Sequence, residues 1–135
     1  MSLDRTYSIQ SADLSVVEEG AWKTPQGMIS LYDSYDWNQE LELEKTLEKQ
    51  GKECCPSGLI LVRTIGVFFH LCPLQDGRVN LYCVLPRPRK ILGVFNITIN
   101  ETLAMEKVSQ SFARHALTKF MADDKDWLQK NIKED

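Results

Sequence analysis

The chain has 135 residues, 43% hydrophobic and 26% charged, with 16 Lys and Arg against 19 Asp and Glu for a net charge of -3. That length suits one domain able to bury an ordinary core without staples, and a near-average composition excludes collagen-like, coiled-coil and disordered chains. The acidic balance argues against a broad nucleic-acid-binding surface.

No apolar run approaches ~18 residues, so no membrane helix is expected. The longest such stretch, residues 65–72, is interrupted by His70. The start, Met1-Ser2-Leu3-Asp4-Arg5, lacks the hydrophobic segment of a secretion signal. Cys54, Cys55, Cys72 and Cys83 could form two bridges, but the adjacent pair would need different partners. We therefore expect reduced thiols and a cytoplasmic location, where the sequons at Asn96 and Asn100 carry no meaning.

Residues 1–35 carry the weakest pattern. Residues 11–20 offer a serine cap and a terminal glycine, which fits a two-turn helix, with a strand through Val16 and Val17 as the alternative. Thr24-Pro25-Gln26-Gly27 predicts a turn, because Pro pre-sets the second position and Gly tolerates positive φ. Residues 28–32 alternate apolar and polar side chains and predict a half-buried strand. Residues 36–51 predict the first solid helix, with Asp36 as cap and Gln39 where a capping-box partner belongs. Trp37 with Leu41 and Leu43 with Leu47 make apolar i,i+4 pairs, and the opposite face is charged.

From residue 58 to residue 99 the pattern is β. The stretch 59–72 predicts one central strand buried on both sides, or two strands bent at Gly66. Asp76-Gly77 is a strong hairpin signal, and Val79, Leu81 and Cys83 alternate with Asn80 and Tyr82. Pro86-Arg87-Pro88-Arg89-Lys90 predicts a connector, because neither proline can donate to a ladder. Residues 91–99 predict the third strand, centred on Val94 and Phe95. Asn100 is expected to cap the last long helix, whose stripe of Met105, Val108, Phe112, Ala116 and Phe120 has helical spacing. Asp123-Asp124 caps a short final helix carrying Trp127, Leu128 and Ile132, with Trp127 holding the tail down. The expected fold class is α+β, an antiparallel sheet of about four or five strands packed on one side by helices. It fills a single domain over 1–135, with a poorly patterned part at 1–35 and a short helix within 123–135.

His70 and Cys72 share one strand face, and zinc accepts both ligand types, with Cys54 or Cys55 available to complete a set. The spacing holds no Cys-x-x-Cys or His-x-x-x-His, and adjacent cysteines converge poorly on one ion. The pair therefore reads as core filling, and no metal is expected. A Cys–His nucleophile needs a thiol within reach of an imidazole and a third group to orient the base. His70 and His115 are the two histidines, while Cys72 and Cys83 sit where small buried hydrophobes belong, so cysteine catalysis is not expected. No dinucleotide, P-loop, nucleophile-elbow or metalloprotease motif occurs, and no cofactor is expected. Glu40, Glu42, Glu44 and Glu48 are expected on a solvated helix face, which cannot shift a pKa for acid–base work.

The most distinctive local feature is Arg87, Arg89 and Lys90 on a proline-held segment, which Arg78 of the neighbouring hairpin extends into a small cationic edge. Guanidinium groups held this way can grip carboxylate or phosphate bidentately. The same residues would also blunt a sheet edge against aggregation. Trp22, Tyr32, Tyr35 and Trp37 cluster before the acidic helix, a composition that suits interface hot spots and cores alike. Arg78, Arg87, Arg89, Lys90 and Trp37 are thus the candidate partner-binding residues.

These features point to a small acidic cytosolic protein that binds another protein without catalysis, as an adaptor, dedicated chaperone or immunity-type inhibitor. A homodimer is the corollary, because an open sheet leaves edges or a face to cover. In size, charge and coarse element order the chain resembles small acidic secretion chaperones and toxin-neutralising immunity proteins, a likeness that no motif carries. The alternative is a small enzyme or ligand-binding domain with a cleft between the sheet and the last helix, where His70, Cys72, Tyr82 and His115 would be the residues to test. Neither reading involves a membrane, and nucleic-acid binding through the Arg-Pro-Arg segment would have to show a steep salt dependence.

Overall fold

The computed structural model describes residues 4–93 and 95–132, apart from the side chains of residues 89, 91 and 95. Its elements run β1 (Thr6–Gln10), β2 (Val16–Ala21), α1 (Pro25–Ser34), α2 (Trp37–Lys49), β3 (Gly58–Thr64), β4 (Val67–Pro73), β5 (Val79–Ile91), β6 (Phe95–Val108), α3 (Gln110–Met121) and α4 (Lys125–Asn131). The strands form one sheet in the order β2-β1-β3-β4-β5-β6, and every neighbouring pair is antiparallel. The α+β class and the helix-backed sheet are as expected, with six strands rather than four or five.

Alternation along the strands sorts the side chains into two faces. One face carries Ile9, Leu59, Leu61, Phe69, Leu71, Leu81 and Cys83, each at most 1% exposed. Onto it pack Met28 and Tyr32 of α1, Ala113, Ala116, Leu117 and Phe120 of α3, and Leu128 of α4. Phe69 and Phe120 stack with ring centroids 5.3 Å apart, so the layer between the sheet and α3 is filled with side chains. Arg63 of β3 closes the far end of α3 by donating from Nη2 to the carbonyls of Phe120 and Met121, at 2.8 and 2.9 Å.

Several local expectations are corrected. Residues 28–32 belong to a helix rather than a strand. Thr24 caps α1 by accepting from the Gly27 amide at 3.0 Å, Pro25 opens its first turn, and Met28 and Tyr32 bury one i,i+4 face. Residues 11–20 form no helix, and the alternative holds: Val16 and Val17 begin β2, which pairs with β1. The segment 86–90 is no connector but the second half of β5. Pro86 and Pro88 lie two residues apart and so share one side of the strand. The β4 partner of β5 runs out where Phe68 faces Val84, so no donor is missed on that side.

Asn100 caps no helix: it lies within β6 and donates to the Gly66 carbonyl at 3.3 Å. Ser109 caps α3 instead, and Met105 and Val108 belong to the strand before it. Other expectations hold. Asp36 caps α2, Gly66 turns β3 into β4 with φ +80°, and Asp124 caps α4. Val94, expected at a strand centre, lies outside the described residues. No helix among them is long and apolar enough to cross a membrane.

Candidate functional site

Among the described residues, no helix packs across the centre of the second face of the sheet. Strand registers lay out its side chains as two rows. One runs Glu19, Ser8, Ile60, His70, Tyr82, Ala104, and the other Ala21, Thr6, Val62, Phe68, Val84, Thr102. Ile60, Val62, Phe68, Tyr82 and Val84 are half-buried, and none of them belongs to the core cluster or packs against it. Their apolar centre is rimmed by Ser8, Thr6 and Thr102. The helix α2 borders this face at its Cys72, Asn80 and Tyr82 end.

Glu40 holds α2 in that place. Expected on a solvated face, it is 7% exposed. Its Oε2 accepts from the Ser11 hydroxyl and the Ala12 amide, both at 2.8 Å, and its Oε1 from the Tyr35 hydroxyl at 2.9 Å. A cleft of 340 Å³ opens between α2 and the strand ends, lined by Leu41, Glu44, Glu48, Pro56, Cys72 and Tyr82 among others. Burial and the neighbouring Glu48 raise the Glu44 carboxyl.

Beside this cleft, His70 Nε2 and Cys72 Sγ are 3.3 Å apart. Gly58 is the reason the imidazole fits. A Cβ there would come within 2.4 Å of the Leu71 carbonyl oxygen and 2.5 Å of His70 Nε2. Burial lowers the His70 pKa to about 4 and, with smaller contributions from Cys55 and Glu44, raises the Cys72 thiol to about 12. At neutral pH both groups are uncharged, the opposite of an activated thiolate–imidazolium pair. His115 lies across the sheet on α3, edge-on to Trp127 at 4.9 Å, so the four residues of the alternative reading do not converge. Cys55 donates its thiol proton to the Ser11 carbonyl at 3.3 Å. Among the described residues, no group of three or more His, Cys, Asp and Glu could hold a metal ion.

The candidate partner-binding residues are spread over the molecule. Arg78 pairs with Asp76 of the β4–β5 turn at 2.6 Å. Arg87 lies nine residues further along the chain, roughly 30 Å at strand rise, and pairs with Glu101 of β6. Lys90 is exposed near the hairpin tip, opposite Asn96. The Arg89 side chain lies outside the described residues. Trp37 is half-buried, donates its indole proton to the Tyr32 carbonyl at 2.8 Å and stands edge-on to Tyr35 at 4.5 Å.

The open face was not among the sequence candidates. Its signal is present in Ile60 and Val62, Phe68 and His70, and Tyr82 and Val84, the residues that alternate with the core positions. Because those alternates are themselves apolar, the strands read as buried on both sides. No family model, curated protein or solved structure matches the chain.

Proposed function

We propose that this chain is a non-catalytic protein-binding module, of the adaptor, chaperone or inhibitor kind, that seats its partner on the open sheet face. One observation carries the reading. An apolar centre of Ile60, Val62, Phe68 and Val84 stands half-exposed on a regular sheet, ringed by uncharged polar residues. Depletion of charge at the centre and polarity at the rim is the anatomy of a protein interface. The neutral His70 and Cys72 support the reading by offering no activated nucleophile.

The test compares the wild-type chain with Val62→Glu/Phe68→Glu, introduced into the source cell and isolated with whatever it holds, followed by mass measurement of the intact complex. Both side chains are half-buried and face each other across the β3–β4 ladder, so some stability is lost, and circular dichroism with the unfolding midpoint must show the variant folded at the assay temperature. The variant is expected to lose a partner that the wild type retains. A partner held equally by both chains, or a wild-type chain recovered free, would sink the reading.

The alternative, a small ligand-binding domain, rests on the α2 cleft and not on the filled layer between sheet and last helix. Its mark would be ligand-dependent NMR shifts at Tyr82 and Glu44 that leave Phe68 unmoved.

A further inference from the structure

We propose that the outer edge of β6 is a strand-addition site whose occupant is the same edge of a second copy, joined antiparallel across a two-fold axis. This goes beyond the open-face reading and does not depend on it.

Among the described residues the sheet has three stretches of unpaired edge, and they are treated differently. The edge strand β2 is six residues long, carries adjacent Glu18 and Glu19, and meets β1 through an irregular register at Ile9/Gln10. The side of β5 beyond Val84 is occupied by Pro86 and Pro88, which offer no donor. Charge, irregular pairing, proline and short length are the devices that stop an edge from recruiting another strand. The 14-residue β6 pairs with β5 alone, and its register runs unbroken from Phe95 to Met105. Between Asn96 and Met105 it has no proline, lysine or arginine, and its single charge, Glu101, is taken up by Arg87. The Pro and Arg residues that would blunt an edge therefore guard the other strand of the same hairpin, and β6 is left open.

The backbone geometry of that edge follows from the prolines. Pro86 faces Asn100 and Pro88 faces Thr98. A residue that sends no N–H towards β6 belongs to a non-hydrogen-bonded pair, so Thr98 and Asn100 direct their own N–H and C=O groups outward. By the same alternation, so do Asn96 and Thr102. A two-fold register centred on Ile99 sets Thr98 against the copy's Asn100 and Asn96 against its Thr102. These are outward-directed, uncharged pairs able to exchange backbone and side-chain hydrogen bonds. Ile99 then meets its own copy, and Glu101 faces Ile97 rather than another carboxylate. The run is rich in β-branched residues, which suit a pleated surface, and identical uncharged edges satisfy an isologous contact without like-charge repulsion.

Sedimentation equilibrium of the full chain at tens of micromolar should give twice the 15.5 kDa chain mass. Thr98→Pro removes an outward donor and leaves the β5 ladder whole. It should raise the dimer dissociation constant about 100-fold, since each copy loses one hydrogen bond, with an unchanged far-ultraviolet spectrum. Ile99→Cys, oxidised with glutathione disulfide, should give a covalent dimer that the wild type does not, which reports the register even if the proline variant fails to fold. A monomeric wild type overturns the proposal, as does a dimer that Thr98→Pro leaves intact while folded. Failure of this site and failure of the open-face reading are separable: Val62→Glu/Phe68→Glu is expected to stay dimeric, and Thr98→Pro to keep the foreign partner.

Discussion

Arg87 reaches diagonally across the β5–β6 ladder to Glu101. In register Arg87 faces Ile99 and Leu85 faces Glu101, so the guanidinium leans back by one pair to meet a carboxylate that is 8% exposed. Arg87, one of the candidate partner-binding residues, thus also serves as counter-ion to a buried carboxylate at the root of the hairpin arm.

Removing one side of such a pair strands the other. Arg87→Met should cost about 1–3 kcal/mol, because the Glu101 carboxylate stays shielded from water and unpaired. The double replacement Arg87→Met/Glu101→Leu should recover most of that loss. Urea midpoints at constant m-value, set out as a double-mutant cycle, give the answer. A double-variant loss equal to the sum of the two single-variant losses would show that the pair adds nothing. Charge reversal at Arg87 would confuse folding with binding, whereas Lys90, exposed near the tip, is the clean probe of a cationic contact.

Local signals were legible wherever one physical rule sufficed. The Asp36 cap, the Gly66 bend and the Asp76-Gly77 turn each need a residue type that few others can replace. Met28, Ile29, Leu31 and Tyr32 stand at i, i+1, i+3 and i+4, a helical spacing that the single Ser30 between them does not turn into alternation, and the Thr24-Pro25 cap agrees with it. Proline is a breaker in a ladder only where its nitrogen faces a neighbour, and where β4 stops opposite β5 is a tertiary fact. Asn100 and Ser109 are both adequate caps, and the choice depends on how long β6 pairs with β5. The open face was hidden for the same reason: Ile60 and Phe68 look like core residues, and nothing local says that no layer covers them.

His70 links stability to pH. Its folded pKa of about 4 lies below the ordinary 6.5 because burial disfavours the imidazolium. The stabilising contribution is complete above pH 6.5. It falls as pH drops, because the unfolded chain takes up the proton first, and it is gone near pH 4. The loss over that window is at most about 3 kcal/mol. His70→Asn should flatten this slope in urea titrations, and a variant with the wild-type pH dependence would remove His70 as the cause.

The four thiols should separate into two classes. Cys72 and Cys83 are buried, and burial pushes both up to about 12. Cys54 and Cys55 are half-buried and raised in the same direction, again chiefly by desolvation. A disulfide reagent at pH 8 should therefore modify Cys54 and Cys55 slowly, and Cys72 and Cys83 only at the rate of unfolding. Mass mapping after partial labelling reads the order. Early labelling of Cys72 would mean a reactive thiol and would reopen the catalytic alternative.

Arg63 couples the sheet to the helical layer through three kinds of contact. Its Nη2 bridges the carbonyls of Phe120 and Met121 at the C-terminal end of α3, the first of which also accepts from the Asp123 amide at 3.1 Å. Its guanidinium carbon lies 5.2 Å from the Trp22 ring centroid and 5.8 Å from that of Phe120, close enough for cation–π attraction. It also stands 3.6 Å from Asp123, just past the helix end. Arg63→Ala should cost about 2–3 kcal/mol. Arg63→Lys should recover less than half of that, because a single ammonium cannot bridge both carbonyls while lying flat against two rings. Hydrogen exchange adds a local readout. Amides in the last turn of α3 should exchange faster in both variants than in the wild type, while those of α2, remote from Arg63, keep their protection. Full recovery by lysine would reduce the interaction to simple charge at a helix terminus.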